Sequence, residues 1–232
     1  MTVSTDESPV SCASDTLRYK LVVFDFDGTL ADSFPFFLEV FDVLADAHGF
    51  KRLERENLEA LRGYDTRRMM RHVGLPLWKA PRVALHFKTL MGESIGRIRL
   101  FEGAAEALRE LKRCGVRLAV VSSNDSDNVR AVLGFDLAGL IDDYECGAAI
   151  LGKRSRLRAL VRQSGIARDA VLCIGDEVRD IDAAQAESLD TGAVTWGYAT
   201  AEALLDARPS VVFSSFPEIV SYVKASLACR VR

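Results

Sequence analysis

The chain has 232 residues, 49% of them hydrophobic and 27% charged, enough to bury one sizeable core and a small second one. A formal net charge of -3, with both signs interspersed, offers no polybasic face to nucleic acid or to a membrane surface, so the expected partner is a small molecule. No apolar run approaches the roughly 20 residues that span a bilayer. Five scattered cysteines (Cys12, Cys114, Cys146, Cys173, Cys229) match neither a disulfide framework nor a zinc spacing, which predicts reduced thiols in a cytoplasmic protein.

Residues 1–17 are rich in Ser, Thr and acids and lack the basic start and apolar run of a secretory signal, so they are expected to form a disordered tail. Tyr19 to Phe26 reads as a buried parallel strand that delivers Asp25 to a loop. From Pro35 onward Phe37, Val40, Phe41, Leu44 and Ala45 recur at helical spacing, with Gly49 at the end. Lys51 to Ile98 continues as helical segments broken at Gly63, Gly74 to Pro76 and Pro81, with no strand among them. The three histidines, His48, His72 and His86, stand apart from one another and are read as packing or surface residues.

After Gly103 the rhythm is regular. A helix to Cys114 and a turn at Gly115 lead to a strand over Arg117 to Val121, a Ser-Ser-Asn-Asp turn and another helix. Strands follow near Asp142 to Cys146, Ala170 to Ile174, Ala193 to Trp196 and Ser210 to Phe213. Helices are expected at Arg154 to Gln163, Asp180 to Ala186, from Thr200, and at Phe216 to Ala225. Alternating units of this kind imply an α/β fold with a parallel sheet.

Reactive groups of open α/β sheets gather at the carboxyl ends of the strands. Here those ends carry Asp25-Phe26-Asp27-Gly28-Thr29, Ser122-Ser123-Asn124 and Gly175-Asp176-Glu177-Val178-Arg179-Asp180, while Lys153 opens a helix. The set suits phosphoryl transfer, which needs positioning and stabilisation of spread negative charge. Carboxylates alone repel phosphate, so a hard cation is implied, Mg2+ by preference, on Asp25, Asp176 and Asp180. Asp25 and Asp27 are two apart and project to one side. Asp25 is then the candidate nucleophile, and Asp27 the acid that protonates the leaving oxygen and next activates water. Ser122 would donate to a phosphoryl oxygen and Lys153 would add positive charge. Plainer roles exist: Asp25 and Asp27 as turn residues, Ser122, Asp125 or Ser126 as a helix cap, Asp180 as a cap of its own helix, and Lys153 as an exposed helix-start lysine.

At these residues the chain resembles the haloacid-dehalogenase superfamily, whose four motifs match in order: DFDGT at Asp25, a strand ending in Ser122, Lys153, and GDxxxD at Asp176 to Asp180. The resemblance implies a Rossmann-like, doubly wound parallel sheet core (18–32 and 101–232) and an inserted all-helical cap (33–100), as in the phosphoglycolate phosphatase-like branch. It also implies that Asp27 offers its carbonyl to the metal and that the cap closes over a small phosphorylated metabolite. Gly28, Ser123, Asn124 and cap Arg62 are the further candidates for phosphate or substrate binding, and Arg67 and Arg68 either join Arg62 or form a solvated face. Glu187 to Thr191 departs from the family's usual Ala-Gly ending, and Trp196-Gly197 is read as packing and a turn. The alternatives are a phosphomutase of the β-phosphoglucomutase type, a receiver-like module phosphorylated on Asp, and a structural protein on a degenerate fold. Either a monomer or a homodimer fits.

Overall fold

The computed structural model describes residues 17–54, 56, 64, 66–147 and 152–226. The expected tail before Leu17, Cys12, Cys229, Arg62 and the break at Gly63 lie outside the described residues.

In chain order the strands are β1 (Leu21–Phe24), β2 (Ala31–Asp32), β3 (Arg99–Leu100), β4 (Arg117–Ser122), β5 (Asp143–Cys146), β6 (Val171–Gly175), β7 (Asp190–Val194) and β8 (Val211–Phe213). The α-helices are α1 (Phe34–His48), α2 (Thr66–His72), α3 (Ala80–Glu93), α4 (Ala104–Arg113), α5 (Ser126–Ala138), α6 (Lys153–Ser164), α7 (Val178–Gln185), α8 (Ala201–Asp206) and α9 (Phe216–Ala225).

Every residue of β1 is buried, as a strand covered on both faces requires. Val22 and Phe24 pack into one cluster with α4, α5 and α9 through Leu108, Val129 and Ile219. Leu21 and Val23 pack into another with α6 and α7 through Leu157, Leu160 and Ala184. Six strands pair in the order β5-β4-β1-β6-β7-β8, all parallel. The chain steps outward from β1 to β4 and β5, then crosses back to β6 on the other side of β1. The order therefore reverses beside β1, and a crevice opens there at the carboxyl ends.

Helix α1 begins and ends where Pro35 and Gly49 place it. Pro35 lies in its first turn, and Gly49 takes the left-handed conformation (φ 68°) so that its N–H closes on the Ala45 carbonyl at 2.8 Å. Phe36, Val40, Phe41, Leu44 and Ala45 are buried, whereas Phe37 is only half-buried. Helix α3 runs from Ala80 with Pro81 in its first turn.

A two-residue antiparallel ladder, Ala31 with Leu100 and Asp32 with Arg99, has no counterpart in the sequence reading, being too short to show a period. Together with the Phe101 N–H donated to the Leu30 carbonyl at 3.0 Å, it ties the outgoing and returning chain at the base of the helical insertion.

Two expectations change. The strand expected at Ala193 to Trp196 begins earlier, at Asp190. Its polar start is satisfied within the sheet: Asp190 accepts from Arg18 and from the Tyr19 hydroxyl at 2.7 Å, and Thr191 and Ser210 exchange hydrogen bonds. The histidines are not all apart, because the end of α1 meets α3 and brings His48 Nε2 to 3.1 Å from His86 Nδ1. Proximity across 38 residues leaves no trace in local sequence. Where the chain departs from the family's usual ending, Glu187 anchors the turn after α7: its carboxylate, 4% exposed, receives Arg154 and Arg158 of α6 and also Arg168.

Hydrogen bonds from Arg158 and Arg154 hold the Glu187 carboxyl down at about 2. Its pKa in the unfolded chain is about 4.3, so its contribution is complete above that value and is lost as pH falls toward 2. Glu187→Gln is expected to lower Tm at pH 7, with the gap to wild type closing as the pH approaches 2 to 3. Equal Tm at pH 7 would show that the arginines are merely parked there. Among the described residues, no helix is long and apolar enough to cross a membrane.

Candidate active site

Asp25 follows directly on β1, its N–H donated to the Ile174 carbonyl of β6 at 2.8 Å, so the sheet itself fixes the backbone at this point. Its carboxyl is 5% exposed. Lys153, the first residue of α6, reaches it with Nζ 2.7 Å from Asp25 Oδ1 and 2.6 Å from Asp180 Oδ1. A cation at the positive end of a helix is unfavourable by itself, and two facing carboxylates offset that here.

Asp180 caps its helix and faces the crevice at once. One oxygen, Oδ2, accepts the Glu177 N–H at 3.1 Å in a reciprocal capping box at the start of α7, while Oδ1 faces Lys153. Asp176 accepts the Thr29 hydroxyl at Oδ1 (2.8 Å) and the Tyr198 N–H at Oδ2 (2.7 Å). Asp25, Asp176 and Asp180 are all buried, and each offers one oxygen within 4.8 Å of the others.

Three buried carboxylates so close together are electrostatically costly. Burial pushes Asp25 up to about 7 although Lys153 pulls the other way. Asp176 is raised well above the carboxylate range by burial, reinforced by Asp25, Glu177 and Asp180. Burial alone would push the Lys153 ammonium down, but Asp180 and Asp25 outweigh it and leave it raised. A hard divalent cation matches this donor set: it is all oxygen, and the excess negative charge is what such an ion would neutralise.

Asp27 is held differently. Its Oδ2 accepts Asn124 Nδ2 at 3.2 Å, while Oδ1 is buried with no hydrogen-bond partner among the described residues. Burial raises its pKa, with Ser33 and Asn124 opposing, so the carboxyl keeps its proton more firmly than a free aspartic acid does.

The Gly28 N–H is donated to the Ala31 carbonyl at 2.9 Å, and the residue serves the site by its missing side chain. With φ at 85°, a Cβ there would stand 2.2 Å from Asp176 Oδ2. Gly197 allows the same close approach from the far side of Asp176. Trp196, before it, packs on Phe216 and Phe101 and donates Nε1–H to the Thr29 carbonyl at 3.1 Å.

Ser122 is buried at the end of β4, its Oγ accepting the Asn124 N–H at 3.0 Å and its own hydroxyl proton left to donate. Ser123 and Asn124 both line the cavity above the crevice. In the insertion, Arg67 is exposed and Arg68 stacks over the Tyr64 ring at 4.0 Å. Asp125 starts α5 without a side-chain cap and instead receives Lys88 Nζ of α3 at 3.0 Å.

Thr29, Tyr198 and Lys88 were not among the residues singled out from sequence. Thr29 lies inside the DFDGT run and Tyr198 directly follows Trp196-Gly197, so both had a local signal. Lys88 had none, since its place depends on how α3 lies over the β4–α5 loop.

An open parallel sheet with its acidic crevice at the strand ends is the architecture of an α/β enzyme. The model of the haloacid dehalogenase-like hydrolases matches residues 22–194, and the chain belongs to that family. It is 32% identical over 203 residues to a phosphoglycolate phosphatase of Synechococcus elongatus, covering 87% of this chain and 96% of that one. A tyrosine-protein kinase, PtkA, of Mycobacterium tuberculosis is 28% identical over 199 residues, covering 83% and 68%. Among solved structures, a haloacid dehalogenase-like hydrolase from Streptococcus pneumoniae superposes with a TM-score of 0.74 at 18% identity, covering 88% of this chain and 98% of that one.

Proposed function

We propose that the chain is a magnesium-dependent phosphatase that removes phosphate from a small phosphorylated metabolite through an aspartyl phosphate on Asp25. That it is a phosphatase is supported by its family and by the cyanobacterial relative. The observation that carries the mechanism is the pairing of a lysine-held carboxylate with a second buried carboxyl two residues on. Asp25 is ion-paired to Lys153, and Asp27 is raised by burial with one oxygen free of partners among the described residues.

In this reading Asp25 attacks phosphorus, and Asp27 gives its proton to the leaving oxygen through Oδ1. Asp27, then ionised, takes a proton from the water that opens the acyl phosphate. Lys153 holds Asp25 in place and opposes the charge of the phosphoryl oxygens. Ser122 donates its hydroxyl to one of those oxygens, and Ser123 and Asn124 wall the phosphate. Asp25, Asp176, Asp180 and the Asp27 carbonyl would hold the magnesium, which when bound offsets the carboxylates and the phosphoryl group together. Helices α1 to α3 act as the cap that excludes water, with the β2–β3 ladder at its base.

The test is phosphate release from an aryl phosphate and a panel of metabolite monophosphates, with magnesium and with chelator. Release that chelation stops reversibly, and that magnesium restores, is expected. Release unaffected by chelation overturns the metal's role, and no release from any ester moves the assignment to a phosphomutase or a binding module.

A further inference from the structure

Between the insertion and the crevice lies a cavity of about 330 Å3, and its wall is unlike what a small polar metabolite needs. Its polar members are gathered at the core end: Asp27, Ser123, Asn124, Glu177 and Arg179 come from the strand-end loops, and Lys88 is held beside them by Asp125. The remainder of the described wall is apolar apart from the hydroxyls of Tyr64 and Tyr198, with Met69 and Met70 adding thioether sulfur. Phe37 belongs to an aromatic cluster on this wall, with ring centroids 6.0 Å from Phe87, 5.3 Å from Phe41 and 6.2 Å from Tyr198. Leu38 and Val83 continue the surface. Helix α1 thus spends an aromatic side chain at position 37 on lining a space rather than on filling its core.

The described cations of this wall are already engaged. Lys88 Nζ is 3.0 Å from Asp125, and Arg179 is paired with Glu177. Asn124 is committed to Asp27, to the Asp125 N–H and to Asn128. A carboxylate or hydroxyl-rich leaving group would surrender its hydration here and meet rings in return. An apolar one loses nothing, and aromatic edges and faces are favourable neighbours for it.

We infer that the substrate is a phosphate monoester of an apolar alcohol or phenol, its phosphate on the carboxylate crevice and its hydrocarbon in the cavity under α1 and α3. The volume sets the size. It is about twice the roughly 150 Å3 that admits one benzene ring, and its polar end adjoins the phosphate, so the hydrocarbon has at most two fused rings or a chain of about ten carbons. This rests on the phosphatase reading for the position of the phosphate and specifies the leaving group that reading left open.

Binding and turnover are measured separately on the full chain with magnesium. Alkylphosphonates from ethyl to dodecyl and 1-naphthylmethylphosphonate are titrated by calorimetry, which needs no hydrolysis. Affinity is expected to rise about fourfold per methylene and to level near ten carbons. In Ala84→Trp, which builds an indole into the cavity wall, the levelling moves to a shorter chain. The naphthyl probe separates a ring-shaped occupant from a chain-shaped one. Affinity independent of chain length, or phosphonoacetate bound more tightly than decylphosphonate, overturns the inference whatever the variant does. Rising affinity with no hydrolysis of any matching ester leaves the cavity's occupant standing and overturns the phosphatase reading instead.

Discussion

Asp25→Asn is expected to lower kcat/KM for any ester that the wild type hydrolyses by at least about 10^4-fold, because an amide cannot carry the acyl phosphate that the proposed mechanism requires. Folding is expected to survive. Asp25 is one of three mutually repelling buried carboxylates, and burial has already pushed it up to about 7, so its charge is a cost to the metal-free fold. Asn keeps the shape, and Lys153 retains Asp180 at 2.6 Å. Tm in chelator should therefore stay within a few degrees of wild type or rise. Phosphate release and thermal melting on the same preparation decide the matter. Turnover within tenfold of wild type would sink the nucleophile, whereas lost turnover with a collapsed Tm would show only that the residue is structural.

The parts of the site legible in sequence are those whose partners are local or whose strand is continuous. Asp25 and Asp27 could be placed because an unbroken apolar run delivers them, and Asp180 because the GDxxxD spacing sets it one turn into a helix. The alternation of strands and helices from Gly103 onward gave the parallel sheet, and its layering followed. What stayed hidden depends on contacts between distant segments. Thr29 and the Tyr198 N–H complete Asp176 from 147 and 22 residues away. The His48–His86 contact and the Lys88–Asp125 pair exist only because α3 lies across α1 and the β4–α5 loop. The apolar cavity was hidden for a different reason. Its residues have the same helical period as a core stripe, and period alone does not distinguish a side chain that fills a core from one that lines a void. Phe37, Phe41 and Leu44 illustrate this: they share one helical spacing with Val40 and Ala45, yet all three line the cavity, and of them Phe37 alone is only half-buried.

Lys153→Met should be the more damaging change to the fold. Lys153 Nζ lies within 2.7 Å of two carboxylates that are 5% and 7% exposed, and removing the cation strands both. Breaking a buried ion pair from one side costs about 3 to 5 kcal/mol, roughly 10 °C in Tm for a chain of this size. The loss has a pH signature. Asp25, at about 7 with Lys153 present, moves higher without it; both forms lose stability from about 3.9 upward as the unfolded chain ionises, but the further loss in the variant accrues only above about 7. The deficit should be widest near pH 8 and shrink toward pH 5, where the proton takes over the lysine's task. Magnesium should narrow it too, because a cation bound only by the folded state stabilises by about 2.7 kcal/mol at a hundred times its Kd. Thermal melts of wild type and variant at pH 5 and pH 8, each with chelator and with magnesium, test all of this without reference to turnover. A Tm gap that is the same in all four conditions would mean that Lys153 contributes by packing alone and that the carboxylates around it do not form a cation site.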